Sequence, residues 1–157
     1  MLALSRNTLI PVSQNAYTPE PRGAGGRLPA AIVMIKGLGI DTIELSRIAR
    51  VYERYGERFM NRIYAPEERS YALRYKDPVP RLAARFAAKE ACMKALGTGW
   101  NFGVRWRDIA VVNERGGKPT LKIEGKARAF FEELGAERIH LSITHGREYA
   151  TAVVIFE

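Results

Sequence analysis

The feature that most constrains this fold is a long alanine-rich helix that carries its own start and stop signals. Asp77-Pro78 opens it and Gly97-Thr98-Gly99 closes it, so the stretch between is predicted as one helix running to Leu96. Ala83 and Ala87 lie one and two turns before Glu90 on a face of small side chains, which leaves room for a ligand. The segment RFAAKEACMKALGTG, residues 85–99, sets Lys89, Glu90 and Lys94 on that helix. Two readings stand at this level. Glutamate four residues before lysine is the favourable order on any exposed helix, and Gly97 is an ordinary C-cap. The same groups also suit a site that holds a metal ion together with phosphates.

The rest of the chain is read around that helix. Ile35, Gly37 and Gly39 lead to Ile40 as a short buried strand ending at Asp41, and Asp41 with Glu44 resembles a capping box opening a helix from Ile43 to about Tyr55. Gly56 breaks the pattern before a second helical segment, Glu57 to Tyr64, and Pro66 begins a short helix to about Tyr75. Later come a strand from Asp108 to Asn113, a turn at Gly116-Gly117-Lys118-Pro119 and a returning strand from Thr120 to Glu124. A helix from Lys126 to Leu134, closed by Gly135, precedes two strands, Arg138 to Thr144 and Tyr149 to Phe156. Ile139, Leu141 and Ile143 alternate with His140, Ser142 and Thr144. Early helices and late strand pairs define an α+β domain: a mostly antiparallel sheet packed with a long central helix and shorter helices.

Residues 1–33 differ in kind, with frequent Pro, Gly, Ser, Thr and Asn; they are expected to form a flexible, dispensable N-terminal extension, the domain proper spanning 34–157 with its start at Met34. At 157 residues and 46% hydrophobic, the chain suits one folded domain. No apolar run reaches the roughly 18 residues that span a bilayer, so no membrane role is expected. A single cysteine, Cys92, forms no internal disulfide and fits a reducing, cytoplasmic setting. The net charge of +8 calls for an anionic partner such as nucleic acid, an acidic protein or phosphate groups.

Several residues are candidates for chemistry. Asp41, at the junction of a strand and a helix, either caps the helix or projects beside a metal. If Asp41 and Glu90 converge, two carboxylates with water and phosphate oxygens form the arrangement magnesium prefers, and Lys94 one turn on reaches a phosphate. Gly97, Thr98 and Gly99 allow close backbone approach to a ligand or simply end the helix. Ser142 and His145 make a poor nucleophile pair without a third member, so phosphate contact is the better functional reading of His145. Arg47, Arg50, Arg54, Arg58 and Arg62 recur every three or four residues and would form one basic ridge if the helix continued past Gly56. An acidic helix is the partner that ridge suits.

Taken together, Gly37-Leu38-Gly39-Ile40-Asp41, Glu44, Arg47, Arg85-Phe86-Ala87-Ala88-Lys89-Glu90-Ala91, Lys94, Gly97-Thr98-Gly99, Gly117-Lys118-Pro119 and Ser142-Ile143-Thr144-His145 resemble the holo-acyl-carrier-protein synthases, in order and spacing, from Met34 to Glu157. That resemblance implies a small 4'-phosphopantetheinyl transferase fold. It implies transfer of phosphopantetheine from coenzyme A to a serine of apo acyl carrier protein, with release of adenosine 3',5'-bisphosphate, in fatty acid biosynthesis. It implies Mg2+ held by Asp41 and Glu90, catalytic work by Glu90 and Lys94, and coenzyme contacts from Arg85, Lys94, Gly97, Thr98, Gly99 and His145. Arg47, Arg50 and Arg54 would then grip the carrier protein, and the chain would form a homotrimer. Two rivals remain: a nucleic-acid-binding domain, allowed by the charge but lacking strands with repeated aromatic positions, and a carrier-protein binder without catalysis.

Overall fold

Residues 34–99 and 101–157 are described by a computed structural model; the predicted extension over 1–33 lies outside them. Strand β1 (Gly37–Glu44) is followed by helices α1 (Leu45–Ile63), α2 (Pro66–Ala72) and α3 (Val79–Ala95). A single 3₁₀ turn, Trp106–Asp108, leads into the hairpin β2 (Ile109–Asn113) and β3 (Pro119–Ile123); α4 (Gly125–Glu133) and strands β4 (Ile139–His145) and β5 (Tyr149–Phe156) complete the chain. All strand pairs are antiparallel. They form two sheets, β1-β5-β4 and β2-β3, with β5 central in the larger one.

Helix α3 is the centre of the described domain. Leu82, Ala83, Ala87, Ala88, Ala91, Cys92 and Met93 are all fully buried, so the helix is covered on most of its circumference. Its alanines make this possible, because small side chains let flanking elements approach the helix axis. β1 comes closest. A Cβ on Gly39 would lie 1.9 Å from the Ala91 carbonyl oxygen, and one on Gly37 would lie 2.3 Å from that of Ala95. Only glycine at these two positions lets the strand lie directly on the helix backbone. On other sides, the Tyr64 hydroxyl donates to the Leu82 carbonyl at 3.1 Å, and Phe131 of α4 meets Phe156 of β5 edge to face at 5.0 Å.

Three expectations are corrected. β1 neither ends at Asp41 nor lies buried: it runs to Glu44, with Leu38 and Ile40 58% and 53% exposed. Its register with β5 extends from Gly37↔Phe156 to Glu44↔Tyr149, and those ladder hydrogen bonds keep the chain extended through the residues that resemble a helix cap. Glu44, not Asp41, holds the N-cap position of α1, and no side chain caps that helix. The break expected at Gly56 is present, so the five arginines do not form one continuous ridge. Gly56 has φ 45° and ψ −124°, which kinks α1 and turns Arg58 and Arg62 toward a separate groove with Tyr55 and Phe59.

Candidate active site

The close packing of β1 on α3 determines what Asp41 can reach. Gly37, Gly39 and Asp41 share one face of β1 by strand alternation, so the glycines that seat the strand on the helix bring the aspartate against it two residues later. Lys94 then closes the junction, donating from Nζ to Asp41 Oδ1 at 2.8 Å and to the Ile40 carbonyl at 2.9 Å. Asp41 is largely buried at 16% side-chain exposure, whereas Lys94 is half exposed at 50%.

Glu90 stands one turn before Lys94 on α3 and completes the group. Burial pushes its carboxyl pKa above the usual range, and the negative charge of Asp41 pushes it further; Lys94 and Arg47 oppose both. Glu90 therefore lies within the field of all three residues. Two carboxylates disfavour one another's ionisation, and such a pair is stabilised by a cation. In the chain alone, part of that positive charge comes from Lys94 and Arg47.

Lys89 does not share this surface. Its side chain is fully buried and its Nζ pairs with Glu68 Oε2 at 2.7 Å. The ammonium also donates to the carbonyls of Trp106, at 3.0 Å, and Ile109. Glu68 in turn accepts from the backbone N–H of Ala65 at 2.8 Å and of Val111 at 3.0 Å. This network ties α2, α3 and β2 together and makes Lys89 a structural residue.

A cleft of about 220 Å3 lies on the helix-facing side of the large sheet, lined by Tyr71, Arg81, Arg85, Asn113, Gly117 and His145. Asp41 and Ile143 both pair with Ala152 from opposite sides, and His145 occupies the next position of that face along β4. Two strand spacings, about 10 Å, therefore separate β1 from β4 across the face that carries Asp41 and His145. Arg85 is 6% exposed, and burial lowers its guanidinium pKa from the ordinary value. Its Nε has no hydrogen-bond partner among the described residues.

The remaining candidates fall elsewhere. Gly97, at φ 73°, ends α3: its N–H donates to the Lys94 carbonyl at 3.0 Å, and those of Thr98 and Gly99 donate to Met93 at 3.2 and 3.3 Å. Thr98 is buried and its hydroxyl donates to the Gly99 carbonyl at 2.9 Å. These three residues act as a helix cap. Ser142 and His145 lie on opposite faces of β4, which rules out a direct Ser–His pair. Arg47, Arg50 and Arg54 are exposed along α1 before the kink. Sequence reading missed Glu68, Tyr71, Arg81 and Asn113; an acidic residue in the first turn after Pro66 and two tyrosines four apart are the only local signals they leave.

An α+β scaffold with a carboxylate pair and lysine beside an arginine–histidine cleft defines a class of proteins suited to phosphate chemistry. Residues 37–154 match the model of the 4'-phosphopantetheinyl transferase superfamily. The holo-[acyl-carrier-protein] synthases of Solibacter usitatus and Koribacter versatilis are 53% and 51% identical over 124 residues, which is 79% of this chain and 99% of each relative. Among solved structures, the holo-[acyl-carrier-protein] synthase of Neisseria meningitidis aligns with a TM-score of 0.71 and 39% identity, covering 79% of this chain and 99% of that one. The Bacillus anthracis enzyme in complex with CoA (3',5'-ADP) aligns at 0.65 with 40% identity, covering 79% and 97%. This chain belongs to the holo-[acyl-carrier-protein] synthase family of the 4'-phosphopantetheinyl transferase superfamily.

Proposed function

We propose that this chain transfers 4'-phosphopantetheine from coenzyme A to a serine of apo acyl carrier protein in fatty acid biosynthesis. The observation that carries this reading is the convergence of Asp41, Glu90 and Lys94 at the β1–α3 junction, beside the cleft of Arg85 and His145. In the reaction, the carrier's serine Oγ forms a bond to the phosphorus that bears the pantetheine arm. The bond from that phosphorus to the bridging oxygen breaks, and adenosine 3',5'-bisphosphate leaves with the electron pair. Glu90, the carboxylate one turn before Lys94 on α3, accepts the serine proton. Lys94, half exposed and one turn away, stabilises charge on the leaving phosphate. Arg85 and His145 bind the coenzyme's nucleotide end. Gly97, Thr98 and Gly99 contribute by ending the helix where the chain turns past the site.

The donor set fits magnesium. Among the described residues there is no cluster of three or more His, Cys, Asp or Glu side chains, and two carboxylates leave most of a hard cation's coordination to water and phosphate oxygens. Asp41 and Glu90 would hold the ion, which supplies neutralisation of the diphosphate charge. Mg2+ titration by calorimetry checks this assignment. Binding by the parent that is lost in both Asp41→Asn and Glu90→Gln is expected; a parent that binds no Mg2+ would contradict it.

Arg47, Arg50 and Arg54 form the docking face for the acidic carrier, supported by their exposure on one stretch of α1. The outward face of the large sheet supports a homotrimer. Leu38 pairs with Ile155 and Ile40 with Val153, and both β1 side chains are more than half exposed. An apolar strip of this kind suits burial against another copy. Leu38→Glu is expected to release monomers in sedimentation experiments; an unchanged assembly would remove this face from the interface. The buried free cysteine supports a cytoplasmic setting. No helix among the described residues is long and apolar enough to cross a membrane.

A further inference from the structure

Two arginines one turn apart on α3 are each seated on a tyrosine. The Arg85 guanidinium carbon lies 4.0 Å from the centre of the Tyr71 ring, and that of Arg81 lies 3.9 Å from Tyr75. The tyrosines are themselves four residues apart, with ring centres 5.6 Å apart, and the Tyr75 hydroxyl approaches that of Tyr71 at 3.4 Å. The result is a ladder, Arg81–Tyr75–Tyr71–Arg85, joining the end of α2, the turn after it and the first turns of α3. Tyr71, Arg81 and Arg85 all line the cleft that also holds His145.

Arg85 is an unusual member of this ladder. It is buried, no carboxylate among the described residues forms a salt bridge with it, and its Nε has no partner. Among the described residues its guanidinium donates to the Arg81 carbonyl, 3.4 Å from an Nη and close to the limit of a hydrogen bond, while Tyr71 and the more distant Glu68 also favour its charged form. A buried guanidinium with five donors and so few acceptors is poised for an anion that enters through the cleft. A guanidinium stacked on a ring also keeps its plane fixed, so its donors present a set direction; an ammonium cannot be held that way.

We infer that Tyr71 is a positioning residue: by stacking under Arg85 it aims the guanidinium at the ribose-bound phosphomonoester of the coenzyme and sets the preference for coenzyme A over its dephospho form. This rests on the transferase reading, which puts the coenzyme's nucleotide end in the cleft of Arg85 and His145. The tyrosine contributes through the orientation of Arg85 and not through contact with the reacting phosphorus.

Isothermal titration calorimetry with adenosine 3',5'-bisphosphate, coenzyme A and dephospho-coenzyme A tests this without requiring turnover. Tyr71→Leu is expected to weaken the first two ligands about tenfold, the worth of a desolvated cation–π contact, and to change the third by less than about twofold. Tyr71→Phe keeps the ring and is expected to restore the preference. Arg85→Lys is expected to lose it, and adding Tyr71→Leu to Arg85→Lys to cost nothing more, because the two act as one unit. Tyr75→Leu, one step further from the cleft, is the second probe and is expected to give a smaller loss of the same preference. Equal weakening of all three ligands in Tyr71→Leu, or a full additional loss in the double variant, would overturn the inference and leave the transferase reading intact. A parent protein that binds no coenzyme A would overturn both.

Discussion

Asp41 and Lys94 lie 53 residues apart in the chain and meet at 2.8 Å between Oδ1 and Nζ. The contact joins an edge strand to the central helix at the point where Glu90 also arrives. Since Lys94 is half exposed, an ion pair of this kind adds at most about 1 kcal/mol to stability. Its value lies in the site. Asp41→Asn and Lys94→Met are therefore expected to unfold within about 1 kcal/mol of the parent in urea. Their turnover should fall by about 100-fold or more, as expected for groups that stabilise transition-state charge. Equal losses of stability and turnover would make the pair structural.

The Glu68–Lys89 pair shows the opposite balance. Both side chains are fully buried and the pair links three elements. Lys89→Met leaves a carboxylate buried without its cation and is expected to cost about 3–5 kcal/mol in denaturant unfolding. Glu68→Gln/Lys89→Met removes both charges and should recover part of that loss. A double variant no better than Lys89→Met would show that the charge itself matters less than the lysine's packing.

Gly39→Ala tests the link between packing and the site. The added methyl would sit 1.9 Å from the Ala91 carbonyl oxygen, so β1 must lift from α3. Overpacking of this kind costs about 1–3 kcal/mol. Turnover should fall further than stability, measured at a temperature where the variant remains folded, because the displaced strand carries Asp41 away from Glu90. Normal turnover in a folded Gly39→Ala variant would separate the close approach from catalysis.

Cys92 offers a control away from the site. Burial holds its thiol pKa well above the ordinary range, so at pH 8 even less thiolate forms than in an exposed cysteine. Alkylation of the native protein at that pH should be much slower than in 6 M urea, used here as an unfolding reference at about the usual strength. Rapid native alkylation would mean that α3 opens readily.

The sequence made α3 and the β4–β5 pair legible because both rest on local signals: stop residues at each end of the helix, and alternation along β4 joined by a short link. Asp41 was harder. A cap-like pattern with Glu44 competes there with a strand ladder whose partner, β5, comes more than a hundred residues later, and the ladder wins. The inward turn of Lys89 depends on Glu68, twenty-one positions earlier, and nothing in Lys89's own neighbourhood separates it from the exposed Lys94. The grouping of Asp41, Glu90 and Lys94 was readable as a joint pattern. The Tyr71–Arg85 stack was not, because it requires knowing how α2 turns back onto α3.

The most direct test of the account is intact-mass spectrometry of an apo acyl carrier protein incubated with this protein, coenzyme A and Mg2+, beside a sample containing EDTA. The account predicts that the carrier gains the mass of one phosphopantetheine group in the first sample and none in the second. An unchanged carrier in both samples, with the protein folded and several carriers tried, would contradict it.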